Sequence, residues 1–288
     1  MKKIILFIIL SSLFYSCKKE TLVTIGDNKA PNDFTIDSTT IQRYITRTYI
    51  LTLGREPDLM EALTAESNLI SAGLDETSRT TFINTIFSSS SYLPNLFEQN
   101  KINLLNNVDT SEITLWIAIF NNILDDTTVM FQWPYIQYEV DRLTLLQNAY
   151  NEFNDGNIDI IELHKRMCNN YLYDQINMQS ANFVISSFQH LIGRNPTNAE
   201  QISGINMVEN NNSLLFLQTG ESKENYLDIL LHSSNYYEAQ MIFLYDNYLF
   251  RLPTSYEMAS GTQLFSSTGD YTVVQKIILT SNEFIGIQ

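Results

Sequence analysis

Three histidines, His164, His190 and His232, are all the imidazole this chain has, and no two stand at the spacing that puts a pair of metal ligands on one helix face. Neither a Gly-x-Ser-x-Gly nucleophile elbow nor a phosphate-binding glycine loop occurs. Paired carboxylates such as Asp125 and Asp126 are no more than an acidic chain supplies by composition. Residues 151–162 place Gly156, Ile158 and Glu162 at positions six, eight and twelve of a calcium loop, yet position three is Phe153, which offers no oxygen to a hard cation, and position one is Asn151. The loop is read as an ordinary turn. Cys168 falls on an apolar helical stripe and reads as a small buried hydrophobe rather than a nucleophile. No catalytic residue, metal or other cofactor is therefore expected, and the chain reads as a binding protein rather than an enzyme.

Arginine recurs three times among the same neighbours: Arg55, Pro57 and Glu61; Arg194, Pro196 and Glu200; Arg251, Pro253 and Glu257. A row of guanidinium groups could bind anions, but the flanking residues favour a structural job. Tyr49 and Leu53, Phe188 and Ile192, and Tyr245 and Leu249 are spaced by four, so each pair shares a helix face. The proline prevents the helix from continuing. Asp58, Thr197 or Thr254, three residues before the glutamate, then writes a capping box for the next helix. Each arginine sits at a helix end, where a cation complements the last carbonyls, within reach of the glutamate of its own corner.

A second pattern follows each corner. Phe82, Ile83, Ile86, Phe87, Ser89 and Tyr92 match Tyr226, Leu227, Leu230, Leu231, Ser233 and Tyr236, and again Val274, Gln275, Ile278, Leu279, Ser281 and Phe284. Leu163, Met167, Cys168, Asn170 and Tyr173 keep the offsets but lack the corner upstream. Gly73, Gly156, Gly220 and Gly269 precede these helices, where a turn can need positive φ. The expected unit is helix, corner, helix, glycine loop, helix. Helical spacing throughout, without long alternating runs, makes the fold all-α. The expectation is a compact array of helical hairpin repeats, three clear and one degenerate, at about 38–100, 107–173, 180–240 and 241–288, sharing apolar faces in one domain over 38–288.

Phe131, Trp133, Tyr135 and Tyr138 form the densest aromatic cluster, with Pro134 expected to break any helix there. Such rings pack in a core, or, if exposed, stack on sugars and anchor protein partners. They are the candidate binding surface.

The N-terminus reads as a processing signal: Lys2 and Lys3, the ten-residue apolar run 4–13, then Ser16 and Cys17. That run is too short to span a bilayer, which takes about 20 residues. Residues 1–16 resemble a lipoprotein signal peptide of the Bacteroidetes type. The resemblance implies a lipid on Cys17, attachment to the outer membrane through it, and a periplasmic or surface-exposed body. Residues 17–37, with Gly26 and Pro31 among unperiodic polar residues, read as a flexible tether. Loss of Lys2 and Lys3 takes the formal charge from −15 to −17, and with no basic run anywhere this excludes nucleic acid as a partner.

The corner itself, Tyr-x3-Leu-Gly-Arg-x-Pro-Asp from Tyr49 to Asp58, with a glycine loop and a helix ending at Ser89 and Tyr92, resembles the phycobilisome-linker-like helical repeat also found in S-layer-associated bacterial proteins. Phe188 to Tyr236 fits with Gly193, Arg194 and Pro196, whereas Phe250 stands in the last copy where the others have glycine. The resemblance implies a scaffold or interaction role and no catalytic residues. The expected function is an envelope lipoprotein that docks another envelope protein on a helical face. The alternative is a glycan-binding accessory lipoprotein of a nutrient-uptake system, using the aromatic cluster.

Overall fold

A computed structural model describes residues 36–287; the expected signal peptide, Cys17 and nearly all of the expected tether lie outside the described residues. The fold is all-α: among the described residues, fifteen helices pack as adjacent pairs in a structure that is 75 % helical. First come α1 (Ser38–Leu53), α2 (Leu59–Ser71), α3 (Glu76–Phe87) and α4 (Tyr92–Leu105). The divergent stretch holds α5 (Thr110–Leu124), a 3-10 turn at Thr127–Gln132, α6 (Trp133–Asn154), α7 (Ile160–Cys168) and α8 (Tyr171–Ile176). Then α9 (Ser180–Ser187) runs on through a π turn, Phe188–Ile192, to α10 (Asn198–Val208), a hairpin of β1 (Ser213–Leu215) and β2 (Gln218–Gly220), and α11 (Lys223–Leu231). The last stretch is α12 (Ser234–Leu249), α13 (Ser255–Thr268), α14 (Tyr271–Leu279) and the short α15 (Asn282–Ile285).

Two local expectations are corrected. Gly220 does not turn a loop at positive φ. Phe216 and Leu217 do, at 49° and 63°, closing the antiparallel hairpin in which Leu215 faces Gln218. Glycine is needed at 220 for room, since a Cβ there would lie 2.8 Å from that of Asn225. Pro134 does not break a helix but occupies the first turn of α6, where its missing N–H removes no bond.

The calcium-like stretch resolves into caps. Helix α6 runs to Asn154, Gly156 turns at φ 72°, and Asp159 accepts the Glu162 N–H at 2.8 Å to start α7.

The recurring serine three residues before an aromatic is also a cap. Ser233 and Ser281 accept from the N–H of Tyr236 and Phe284 at 3.2 and 3.1 Å, and Asn170 does so from Tyr173 at 2.9 Å. Capping places Tyr173, Tyr236 and Phe284 at the third position of their helices, turned inward, whereas Ser89 caps no helix and Tyr92 is the first residue of α4. Tyr92, Tyr173, Tyr236 and Phe284 are all buried in one continuous core.

The two ends of the described chain meet. Arg79 donates to Thr280 O at 2.9 Å and Asn282 Oδ1 at 2.8 Å, and Arg47 donates to the carbonyls of Tyr248 and Phe284 with its guanidinium 4.4 Å from the Phe284 ring. Helix α3 packs on α14, as α7 packs on α11.

Candidate functional site

The three arginine corners are built alike. Arg55 reaches Glu61 with both terminal nitrogens, at 2.6 and 2.7 Å; Arg194 reaches Glu200 at 2.8 and 2.7 Å; Arg251 reaches Glu257 at 2.9 Å twice. The same glutamates accept from the backbone N–H of Asp58, Thr197 and Thr254 at 2.7–2.8 Å, completing the capping boxes. Each arginine also donates to the carbonyl of the next residue and lies 5.2–5.4 Å from the ring of Tyr49, Phe188 or Tyr245. The guanidinium bonds hold the carboxyl groups of Glu61, Glu200 and Glu257 down at about 2. With their terminal nitrogens engaged by glutamates, in Arg251 by Glu283 of α15 as well, these arginines fasten one helix to the next and leave no row of open anion sites.

The aromatic cluster divides. Phe131 is 80 % exposed and Tyr135 61 %, whereas Trp133 is half-buried with its indole N–H sealed and unpartnered. Tyr138 donates to Glu224 and lies under the Arg142 guanidinium, 4.5 Å from it.

Tyr135 and Tyr138 line a charged cleft of about 530 Å³ with Glu139, Arg142, Asp174, Lys223 and Glu224. Glu139 is 2 % exposed and Arg142 5 %. Arg142 binds Glu139, Asp174 Oδ2 at 3.1 Å and Asn169 Oδ1 at 2.9 Å, and Lys223 binds Asp174. Two cations, Arg142 and Lys223, and two carboxylates, Glu139 and Asp174, thus compensate one another and tie α6 to α8 and α11. A network in which each ion holds another is a clamp, since removing one member strands its buried partner.

A second cavity, of about 650 Å³, opens where α1, α4, α7, the π turn, α12 and α14 converge. It unites two histidines that the sequence leaves far apart, His164 and His190; His232 is not among its lining. His164 Nε2 lies 2.6 Å from Asn100 Oδ1 and its Nδ1 2.9 Å from the Tyr236 hydroxyl, while His190 Nδ1 lies 2.9 Å from the Tyr173 hydroxyl. Burial pulls the His164 imidazole down to about 4 and lowers His190 as well, so both are neutral at pH 7. Gln275 accepts from Tyr92 and donates to Tyr248 at 2.8 Å. Sequence reading missed Gln240, Asn247, Tyr271 and Gln275 as a group, because they come in pairs from two helices, α12 and α14, and amides carry no motif.

Cys168 is fully buried, and burial pushes its thiol up to about 12. It is a packing residue. Among the described residues, no three His, Cys, Asp or Glu side chains come together as a metal site.

A third feature is a groove of about 830 Å³ between α2 and α3, lined by Met60, Ala65, Leu69, Phe82 and Ile86 among polar residues. The helices that follow the three corners are shallowly buried, as is α5, which buries only Ile113 and Phe120. Helix α2 buries only Leu69, α10 only Gly204 and Met207, and α13 only Gly261 and Phe265. On α2 this leaves Leu59, Met60, Leu63 and Ile70 exposed.

No family model, curated protein or solved structure matches the chain, so its likeness to the linker-type repeat rests on the corner residues themselves, and what stands is a mostly helical protein.

Proposed function

We propose that the chain is a cell-envelope lipoprotein, anchored through Cys17, whose helical body is an interaction or scaffold subunit at the outer membrane. The observation that carries this reading is the α2–α3 groove, with Leu59, Met60, Leu63 and Ile70 exposed on one outer helix. Met60 lines the groove while Leu59, Leu63 and Ile70 stand exposed elsewhere on the same helix, and exposed apolar side chains on such a helix suit the apolar face of a partner's amphipathic helix. Corners locked by Arg–Glu pairs keep that helix pre-formed, which lowers the ordering cost of docking. The partner is another envelope protein. A photo-crosslinking residue at Met60, compared with one at Gln137 on α6, tests this in intact cells. A discrete adduct with an envelope protein from Met60 alone supports docking; uncrosslinked protein from both positions removes it.

The second reading is a glycan-binding accessory lipoprotein of a nutrient-uptake system, favoured by the exposure of Phe131 and Tyr135. Under it, the Phe131→Ala and Tyr135→Ala double variant loses retention in a polysaccharide gel.

A further inference from the structure

We propose that the cavity between α4, α12 and α14 is a binding site for a neutral saccharide, held by side-chain amides and the Tyr271 hydroxyl. This goes beyond the docking groove and makes no use of the aromatic segment 131–138.

The first argument is charge. The chain carries 17 basic and 32 acidic side chains, yet none of the residues lining this cavity is Asp, Glu, Lys or Arg. A carboxylate, phosphate or ammonium entering it would lose water and meet no counter-charge, which is strongly unfavourable. A neutral ligand carries no such penalty.

The second argument is unspent hydrogen-bonding capacity. Gln240 is only 3 % exposed, lines the cavity, and has no side-chain hydrogen-bond partner among the described residues. Buried amides are ordinarily paired, so one left open toward a cavity points to a missing partner. The carboxamides of Gln99, Asn103 and Asn247 and the hydroxyl of Tyr271 also line the cavity without side-chain partners among the described residues. A carboxamide both donates and accepts, as a hydroxyl does, so several of them around a hollow match adjacent hydroxyls on a sugar ring.

The third argument is rigidity and shape. Behind the open groups, Gln275 is held between Tyr92 and Tyr248, and His164 between Asn100 and Tyr236. Polar walls fixed by a second layer of bonds are pre-organised for a ligand. Phe243 and Ile102 are partly exposed at the same cavity and offer apolar surface to the C–H faces of a sugar. The volume of about 650 Å³ lies within the range of small-ligand clefts.

Isothermal titration calorimetry on the purified full chain tests the site, with neutral gluco-, xylo- and manno-oligosaccharides, an oligogalacturonate, and uncharged peptides of similar size as probes. The expected result is saturable binding of at least one neutral saccharide. Tyr271→Phe and Asn247→Ala should each weaken it about fivefold or more, as loss of one hydrogen bond does, while Leu115→Ala, on the exposed side of α5, leaves it unchanged. Tyr271→Phe removes a single oxygen, and a melting curve for each variant separates lost binding from lost folding. Three results overturn the proposal: no neutral saccharide binds, the oligogalacturonate or a peptide binds more tightly, or Phe131→Ala abolishes binding while Tyr271→Phe does not.

Discussion

The Tyr236 hydroxyl donates to His164 Nδ1 at 2.9 Å, a direction set by a third residue. Asn100 presents its carbonyl oxygen to His164 Nε2 at 2.6 Å, and its own amide donates to Leu96 O, so Nε2 carries the proton and Nδ1 must accept. Tyr92 and Gln275 repeat the arrangement: in the aligned pattern Gln275 follows Val274 as His164 follows Leu163, and each receives a buried tyrosine from another segment. Tyr236→Phe is expected to lower stability by about 1–3 kcal/mol, because it strands a buried acceptor. Urea unfolding measures it, and a change near zero would mean that the hydroxyl contributes nothing.

Stability should fall in two separable steps as pH drops. His164 is held below its ordinary value by burial, so the unfolded chain takes up a proton first; stability is full above about 6.5 and declines toward about 4. The depression is worth roughly 3 kcal/mol as an upper figure. Glu61, Glu200 and Glu257 are held at about 2 by their arginines, so their contribution is present above about 4.5 and lost from there down to about 2. These carboxylates are partly exposed at surface corners, where solvent screens the pairs, and each contributes about 1 kcal/mol or less. Denaturant midpoints from pH 7 to 3 read the sum, and His164→Asn should shrink the upper step, to which the buried His190 also contributes, and leave the lower one unchanged.

Arg251 differs from Arg55 and Arg194 in also holding Glu283, at 2.6 and 2.7 Å. That pair joins the third corner to α15 at the C-terminal end. A double-mutant cycle on Arg251 and Glu283 should give a coupling of about 0.5–1 kcal/mol, larger than for an isolated surface pair because both guanidinium edges are occupied. A coupling of zero would mean that α15 is held by Phe284 and Ile285 packing without help from the salt bridge.

What could be read from the sequence was whatever local chemistry decides. Asp58, Thr197 and Thr254 cap where the spacing says they must, since a capping box needs only four consecutive residues. Arg55, Arg194 and Arg251 find their glutamates six residues on for the same reason. The β1–β2 hairpin was illegible because Phe216 and Leu217 take a left-handed turn that ordinarily calls for Asn-Gly, so neither residue announces it. The cavity was illegible for a different reason: Gln240, Asn247, Tyr271 and Gln275 come together only when α12 and α14 pack, and no spacing along the chain encodes that meeting. The pairing of Arg142 with Asp174 and Lys223 is likewise tertiary.

The corners also separate backbone strain from crowding. Gly54, Gly193 and Phe250 occupy the same place in the three copies, at φ 68°, 71° and 55°. Phe250 shows that a side chain is tolerated in the left-handed region, at a backbone cost of about 1–2 kcal/mol. Gly193→Ala should therefore cost about 1 kcal/mol, since its Cβ would lie 3.4 Å from Phe243, in ordinary contact. At Gly54 the added Cβ would lie 2.4 Å from Asn95 Oδ1, and Asn95 is the residue whose amide donates to Thr52 O at 2.9 Å. Gly54→Ala must push that side chain aside and break its bond to the last turn of α1, for a total of about 2–3 kcal/mol. The excess belongs to Asn95 and not to the backbone, so in an Asn95→Ala background the Gly54→Ala substitution should cost no more than Gly193→Ala does. Chemical denaturation of the four variants decides it: equal costs for the two glycines in the wild-type background would assign the whole effect to φ.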